Sequence, residues 1–376
     1  MKQDAEILSL TGLRFVAALY VFLFHMQIRW PITTRPFFKE VLEQGAIGMS
    51  VFFVLSGFLL TYRYVDGSGT VKNYMLNRFA RIYPIYVLSA LSTLPWIGIE
   101  MADNDYWVSL GKIIFLVISN VFLVQAWFPQ LFGFWNDGGS WSISVEAFCY
   151  VILPFVLPAM ALLSNSKLLI VVGVCWLLAV MPGVSSFLFG SPPFAVYYAV
   201  PIFRLPEFLL GVCALLAVRN GLKVRFSGLL TILIPIVVAF YLWGYGAVMP
   251  PYIGNNWIVL PAILYMVVAL SAGRGFVSSL LSSKLAVWLG KISYCFYSLQ
   301  ALVLFVIISN YQKLTELWPL LLSGKILALV ALMVLILISA AAYYLIEEPC
   351  RHWLRSKQKK SPEQDAVPAL TAESQR

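Results

Sequence analysis

Eleven apolar stretches, each long enough to cross or nearly cross a lipid bilayer, follow one another along the chain. They fall at about residues 8–29, 45–62, 82–99, 110–127, 143–163, 168–181, 200–218, 226–243, 257–271, 292–309 and 324–346. A membrane-spanning helix needs roughly 20 mainly apolar residues. The pattern therefore predicts an all-α, polytopic membrane helix bundle over residues 1–355. The polar remainder, 356–376, is predicted to be a disordered cytoplasmic tail.

Charged residues between the stretches indicate which side of the membrane each loop faces. Segment 63–81 has four basic residues and one acidic residue, whereas 100–107 has three acidic residues and no basic one. Loops rich in Lys and Arg stay in the cytoplasm. Segment 219–225 and the residues after 350 are also basic. We therefore expect a multi-pass membrane protein with both termini in the cytoplasm.

The count of stretches conflicts with this charge pattern at one place. Four stretches lie between the outside loop 100–107 and the inside loop 219–225, although an odd number of crossings is required. One of them is predicted to be re-entrant or interfacial, which leaves about ten full spans. The two options are 110–127 and 168–181. The pattern favours 110–127, because Pro129 and a glycine-rich loop follow it.

Composition supports the membrane assignment and limits the possible partners. Apolar residues make up 61% of the chain and charged residues 11%, against roughly 45–50% and about 25% in soluble domains. The net charge of +9 is explained by basic loops, so we expect the lipid bilayer and no nucleic acid as a partner. Five cysteines without a CxxC pair predict neither a disulfide framework nor a metal site.

The first stretch carries two ionisable residues, Arg14 and His25. Eleven residues are about three helical turns, so both lie on one face, roughly 16 Å apart along the axis. Ionisable residues inside a membrane are costly and default to a functional interpretation. His25 is a possible general base or a structural histidine between helices. Arg14 suits a phosphate, or it reaches the interface and pairs with an acid.

Three further stretches carry polar residues that can contribute to a site. Ser50 and Ser56 are possible substrate ligands within a glycine-rich run that otherwise favours close helix packing. Arg78 and Arg81 either anchor the topology or contact the phosphates of a cosubstrate. Trp141 and Ser142, at the start of another apolar run, are also possible substrate ligands. Glu146 follows them and needs a partner. That partner is His25 if 110–127 is re-entrant, and Arg14 if 110–127 crosses fully.

Other charged residues favour structural interpretations. Arg204 and Glu207 stand three residues apart and are predicted to form an ion pair on one helix face. Lys291 is predicted to be an interfacial anchor. Glu347 and Glu348, followed by Pro349, are predicted to form the solvated end of the last helix.

Taken together, the stretches resemble one known family. Arg14 and His25 separated by ten residues, Phe52–Phe58, Arg78–Pro84, Trp141–Glu146 and Ile346–Pro349 occur in an order similar to that of the acyltransferase-3 family of integral membrane O-acyltransferases. The ordered set is more specific than any one motif.

The resemblance implies ten helices in a bacterial cytoplasmic membrane and transfer of an acyl group, usually acetyl, from cytoplasmic acyl-CoA. Acyl-CoA would be a cosubstrate, with no permanently bound cofactor. The acceptor would be a hydroxyl of an envelope or extracellular glycan: an O-antigen, an exopolysaccharide or a lipid-linked sugar. His25 matches the proposed catalytic histidine and Arg14 its partner, while Arg78, Arg81 and Glu146 match recurring positions. Many members carry a histidine where this chain has Gln300, so that role is either absent or taken by Gln300.

A function of another class fits the same residues. In a proton-coupled transporter or flippase for a lipid or glycan, Arg14, His25 and Glu146 would relay protons or ions. The expected passage is the same in both cases: an interior channel that Arg14 and His25 both face.

Overall fold

The computed structural model describes residues 6–67, 70–97, 106–135, 140–224, 227–249 and 252–359. The first eight helices are α1 (Leu8–Arg29), α2 (Pro36–Leu42), α3 (Gly48–Tyr64), α4 (Val71–Ser92), α5 (Tyr106–Val121), α6 (Ser140–Ala161), α7 (Asn165–Phe189) and α8 (Phe194–Ala199). Seven more follow: α9 (Pro201–Arg219), α10 (Ser227–Tyr245), α11 (Asn256–Ser271), α12 (Phe276–Leu281), α13 (Lys284–Leu317), α14 (Gly324–Ala342) and α15 (Glu348–Lys359). Across these ranges the chain forms helices and no strands, which confirms the predicted fold class.

Nine helical segments among the described residues are long and apolar enough to span a membrane. α4 supplies a tenth long helix, less apolar because its first half contains Lys72, Arg78 and Arg81. That half was expected to be a loop, since the apolar run begins only at residue 82. Thr70 caps the helix with its side chain, accepting a hydrogen bond from the Asn73 backbone N–H, so α4 starts eleven residues before the apolar run.

Contacts between helix ends define the two ends of the bundle. We call the end at which α1 begins the proximal end, and the end at which α1 finishes the distal end. At the proximal end Ser9 donates a hydrogen bond to the Leu270 carbonyl at 2.8 Å. At the distal end the Trp96 indole N–H donates to Ser309 Oγ at 2.6 Å.

The segment around α5 leaves the distal end and returns to it. Just before α6, the Trp135 backbone N–H donates to the carbonyl of Ile97, just after α4, at 3.2 Å. α4 therefore ends where α6 begins. The 16 residues of α5 extend only about 24 Å, less than the roughly 30 Å of the hydrocarbon core. This geometry agrees with the re-entrant segment predicted at 110–127, whereas 168–181 lies inside the 25-residue α7.

Glycines let the central helices touch through their backbones. A Cβ added at Gly57 on α3 would collide with the Phe208 carbonyl on α9, and one at Gly211 on α9 would collide with the Val54 carbonyl. On α13, Gly290 lies equally close to the Thr11 carbonyl of α1. The glycines therefore serve close packing, the structural interpretation of the glycine-rich run.

The last helix does not end at the Glu347–Pro349 motif, so that prediction is wrong. A π-helical turn over Tyr343–Glu347 links α14 to α15, which continues to Lys359. The proline ring does not fit a regular α-helical turn, and a wider turn just before it lets the chain continue. Glu347 is 2% exposed rather than solvated. Residues 356–359 complete α15, and the rest of the predicted tail, 360–376, lies outside the described residues.

Candidate active site

A cavity at the proximal end is lined by more basic than acidic side chains. Its volume is about 500 Å³. The cationic side chains in its lining are Arg14, Arg63, Arg78, Arg81, Lys291 and Arg351. Arg14 on α1 and both Arg78 and Arg81 on α4, the three arginines interpreted as phosphate ligands, thus share one cavity. Arg14 precedes the other two by 64 and 67 residues in the sequence.

Helix geometry explains why the two arginines of α4 face the same space. Arg78 and Arg81 are three residues apart, so they lie on one face of the helix. The Arg78 guanidinium carbon lies 5.8 Å from the ring centroid of Tyr64 and 5.9 Å from that of Tyr150. A cation between two aromatic faces is held by both rings, which fixes the side chain at the cavity wall.

Glu146 belongs to this proximal cluster. Ser56 Oγ donates a hydrogen bond to one carboxylate oxygen at 3.1 Å, and Tyr150 Oη donates to the other at 3.1 Å. Arg14 also interacts electrostatically with Glu146. No hydrogen bond joins Glu146 to His25 among the described atoms. Of the two predicted partners, Arg14 rather than His25 therefore interacts with Glu146. This partner was expected only if 110–127 crossed the membrane fully, whereas the geometry of α5 agrees with a re-entrant segment.

The depth of Glu146 within α6 explains this outcome. α6 begins at Ser140 at the distal end, and Glu146 lies six residues further, about 9 Å along the axis. A re-entrant α5 segment fixes where α6 begins. It does not keep every polar residue of α6 at that end.

Glu347 is a buried acid of the same cavity. One carboxylate oxygen lies 3.5 Å from Arg351 Nη1, and the other accepts a hydrogen bond from the Cys295 thiol at 3.3 Å. Arg14 and Arg81 also interact electrostatically with Glu347. Glu146 and Glu347 together offset part of the positive charge that the arginines gather here.

A second cavity, of about 160 Å³, lies at the distal end and contains His25. Arg29, one turn further along α1, also lines it. Arg29 Nη1 lies 3.1 Å from His25 Nδ1. A guanidinium can only donate hydrogen bonds, so Nδ1 accepts and the proton of the neutral imidazole is on Nε2.

A series of aromatic rings in contact with one another lines the cavity that contains His25. Phe24 contacts Tyr252 at a centroid distance of 5.4 Å, Tyr252 contacts Tyr198 at 5.8 Å, and Tyr198 contacts Trp141 at 4.7 Å. Trp141, predicted as a substrate ligand, therefore lines the same cavity as His25. Ser142 is 2% exposed and donates to Tyr297 Oη at 3.0 Å, so it supports a wall residue from behind.

The other serines occupy different places. Ser56 lines the proximal cavity, whereas Ser50 is 2% exposed and accepts a hydrogen bond from Arg204 Nη2 at 3.2 Å. Arg204 forms the predicted ion pair with Glu207, with a nitrogen–oxygen distance of 3.0 Å. Ser50 is thus part of a buried polar network between α3 and α9.

The interior passage predicted from one face of α1 is divided into two cavities. The proximal and distal linings have no residue in common. At the level between them, Phe296 of α13 packs edge-on against Phe15 and Phe22 of α1, with centroid distances of 5.3 and 5.8 Å. On α6, however, Ser142 and Glu146 are only one turn apart and belong to the distal and proximal clusters, respectively.

Comparison with known proteins identifies the architecture. A family model described as an acyltransferase domain matches residues 7–345, nearly the whole chain. The chain belongs to the acyltransferase-3 family. It is therefore a multi-pass membrane acyltransferase.

Individual relatives agree with the family assignment. The chain is 28% identical to acyltransferase MdmB of Streptomyces mycarofaciens, over 96% of this chain and 97% of that protein. It is 27% identical to the peptidoglycan O-acetyltransferase OatA of Listeria monocytogenes, over 77% of this chain and 48% of that protein. A putative peptidoglycan O-acetyltransferase of Bacillus subtilis, YrhL, is 27% identical over 55% of this chain and 32% of its own length. The chain thus spans about half of OatA and a third of YrhL. No solved structure matches.

Proposed function

We propose that this acyltransferase moves an acyl group, most readily acetyl, from acyl-CoA in the proximal cavity to a glycan hydroxyl in the distal cavity. The convergence of Arg14, Arg78 and Arg81 in one cavity carries the proposal. Arginine forks bind phosphate with paired, charge-assisted hydrogen bonds. A phosphate-bearing donor such as CoA is the ligand that this charge favours.

The proximal end would face the cytoplasm, where acyl-CoA is made. The loops and helix ends that meet there carry the basic segments of the sequence, and such segments remain inside. Arg219 and Asp66, for example, form an ion pair with a nitrogen–oxygen distance of 2.5 Å at this end. The acceptor would then wait at the outer face, an O-antigen, exopolysaccharide or lipid-linked sugar.

The slender pantetheine arm would bring the thioester from one cavity toward the other. Arg14 and His25 are roughly 16 Å apart along α1, so the phosphates can remain with the arginines while the thioester advances. Its route would pass Glu146 and Ser142, the adjacent polar turns of α6. The proposal requires the rings of Phe15, Phe22 and Phe296 to move apart when the donor binds.

His25 would act as the general base. The acceptor hydroxyl would displace the Arg29 guanidinium from Nδ1, and that nitrogen would take the hydroxyl proton as the oxygen attacks the thioester carbonyl. Collapse of the tetrahedral intermediate breaks the carbon–sulfur bond, and the CoA thiolate leaves with the proton from His25. An ester and free CoA thiol result, with no acyl-enzyme intermediate. The printed names of OatA and YrhL, peptidoglycan O-acetyltransferases, support acetyl as the group and a glycan as the acceptor.

The test uses the full chain in liposomes with radiolabelled acetyl-CoA and a panel of methyl pyranosides and lipid-linked oligosaccharides. We expect label on a sugar together with release of CoA thiol. His25→Ala should lower the rate at least 100-fold, the lower range for a general base. Gln312→Ala is the matched control, because Gln312 is an exposed residue at the distal end of α13.

The same preparation separates an enzyme from a transporter. A lipid-linked sugar that crosses the bilayer in the wild-type protein, without CoA release and with no label on any acceptor, would refute acyl transfer and establish transport.

A further inference from the structure

Gln300 is a buried amide whose hydrogen-bonding groups are unused. It lies on α13, is 0% exposed and lines the distal cavity that contains His25. Neither its side-chain nitrogen nor its side-chain oxygen has a hydrogen-bond partner among the residues that the structure describes. The amide offers two donors and one acceptor oxygen with two lone pairs.

An unpaired buried amide is costly enough to need an explanation. Leaving such a group without a partner costs roughly 1–3 kcal/mol, and nearly all buried polar groups in native proteins are satisfied. Leucine at this position would avoid the cost in a lining that is otherwise largely apolar, with Ala301 and Leu304 next to it on α13. The position of the amide in the His25 cavity points to a bound partner.

The cavity indicates the chemistry of that partner. At about 160 Å³ it is smaller than the roughly 300–1,000 Å³ of a site for a drug-sized ligand, so it suits one ring. The rings of Trp141, Tyr198 and Tyr252 present a continuous aromatic wall. Aromatic faces pack against apolar C–H surfaces, and a pyranose has such faces with hydroxyls at its edge.

We propose that the Gln300 amide binds a vicinal diol of a pyranose acceptor, holding the hydroxyl that is acylated and its neighbour. Oε1 accepts the proton of the neighbouring hydroxyl, and Nε2 donates to the oxygen of the reacting hydroxyl. Gln300 is thus a positioning residue that selects acceptors with two adjacent hydroxyls. The assignment rests on the proposed function, in which the distal cavity is the acceptor site.

The experiment compares acceptors that differ by one oxygen. The best acceptor of the methyl pyranoside panel is paired with the monodeoxy sugar that lacks the hydroxyl next to the acylated position. We expect the wild-type protein to prefer the parent sugar at least tenfold in kcat/KM, because loss of one hydroxyl leaves the amide unpaired. In Gln300→Leu the preference should fall to less than threefold, with the KM for acetyl-CoA unchanged.

Two further variants separate positioning from a structural role. Gln300→His keeps a donor and an acceptor and should retain a preference for the parent sugar. Gln312→Leu, on the same helix but outside the cavity, should behave as wild type. Because the amide has no partner in the described part of the chain, Gln300→Leu should leave the thermal unfolding midpoint unchanged or raise it.

Each opposing outcome has a separate meaning. Equal loss of activity on both sugars in Gln300→Leu, or a clear fall of its unfolding midpoint, overturns the role of Gln300 while acyl transfer stands. Label on neither a pyranoside nor a lipid-linked oligosaccharide, in the wild-type protein or any variant, refutes the glycan acceptor, and this inference with it.

Discussion

Arg29 holds His25 through the ring nitrogen Nδ1, with 3.1 Å between the guanidinium nitrogen and the imidazole. The two residues are one turn apart on α1, so the helix itself sets the contact. Because arginine only donates, the contact selects the imidazole tautomer with its proton on Nε2. Neither nitrogen is then free to take a proton until the guanidinium moves, so the proposed role of His25 as a base requires Arg29 to leave Nδ1 first.

Removal of the guanidinium should therefore change the tautomer of His25. In Arg29→Met we expect a mixture of the two neutral tautomers, whereas the wild-type ring should have its proton mainly on Nε2. Nitrogen NMR of protein labelled only at histidine measures this directly, because the chain contains two histidines. His352→Ala assigns the signals. Identical His25 spectra in the wild-type protein and Arg29→Met would show that Arg29 does not set the tautomer.

Arg81 should contribute to the binding of donor phosphates. Arg81→Gln removes one cation from the proximal cavity, and a hydrogen bond to a charged group contributes about 1.5–3 kcal/mol. We expect the KM for acetyl-CoA to rise about 10- to 150-fold. Acetyl-pantetheine, which lacks the phosphates, should show little change. Arg219→Gln serves as the control, since Arg219 lies at the proximal end outside the cavity lining. An equal effect of Arg81→Gln on both donors would argue against phosphate recognition.

The arginines of the proximal cavity could be predicted from the sequence because local rules position them. Arg14 lies on a helix whose bounds follow from its apolar run. Arg78 and Arg81 are three residues apart, so any helix there places them together. Their position at the same end of the bundle follows from the count of crossings. The hydropathy and charge patterns of the sequence therefore predict where these three arginines lie.

Glu347 and Lys291 could not be predicted in the same way. Glu347 enters the cavity only because a π-helical turn carries the chain past Pro349, and hydropathy does not indicate such a turn. Lys291 lines the same cavity as Arg14, and the neighbouring Gly290 lets α13 touch α1 at Thr11. The separation of the passage into two cavities likewise depends on how Phe296 packs, a tertiary fact. The glycine at 290 was the one local signal available.

The Gly57 contact should be essential for packing α3 against α9. In Gly57→Ala the new methyl group would collide with the Phe208 carbonyl, and overpacking of this kind costs about 1–3 kcal/mol. We expect a clearly lower thermal unfolding midpoint in detergent. Gly173→Ala in α7, where no atom lies within 4 Å of the added Cβ, should leave the midpoint unchanged or slightly raised. Equal midpoints for the two variants would mean that α3 and α9 can separate freely.

The buried ion pair of Arg204 and Glu207 gives a last prediction. Their side chains are 2% and 0% exposed, and Asn256 Nδ2 donates to the carboxylate at 3.3 Å. Glu207→Gln leaves a buried cation without its counter-charge, a change that costs about 3–5 kcal/mol. We expect a large fall in the thermal unfolding midpoint and in the yield of folded protein.

Removal of both charges should reverse much of that loss, because it leaves no buried cation without a counter-charge. The double variant Arg204→Met with Glu207→Gln should therefore unfold at a higher temperature than Glu207→Gln alone. Glu43→Gln, in a partly exposed pair with Lys39 at 4.0 Å, should change the midpoint little. A double variant no more stable than Glu207→Gln would show that the network of Ser50 and Asn256, rather than charge compensation, holds α9 in place.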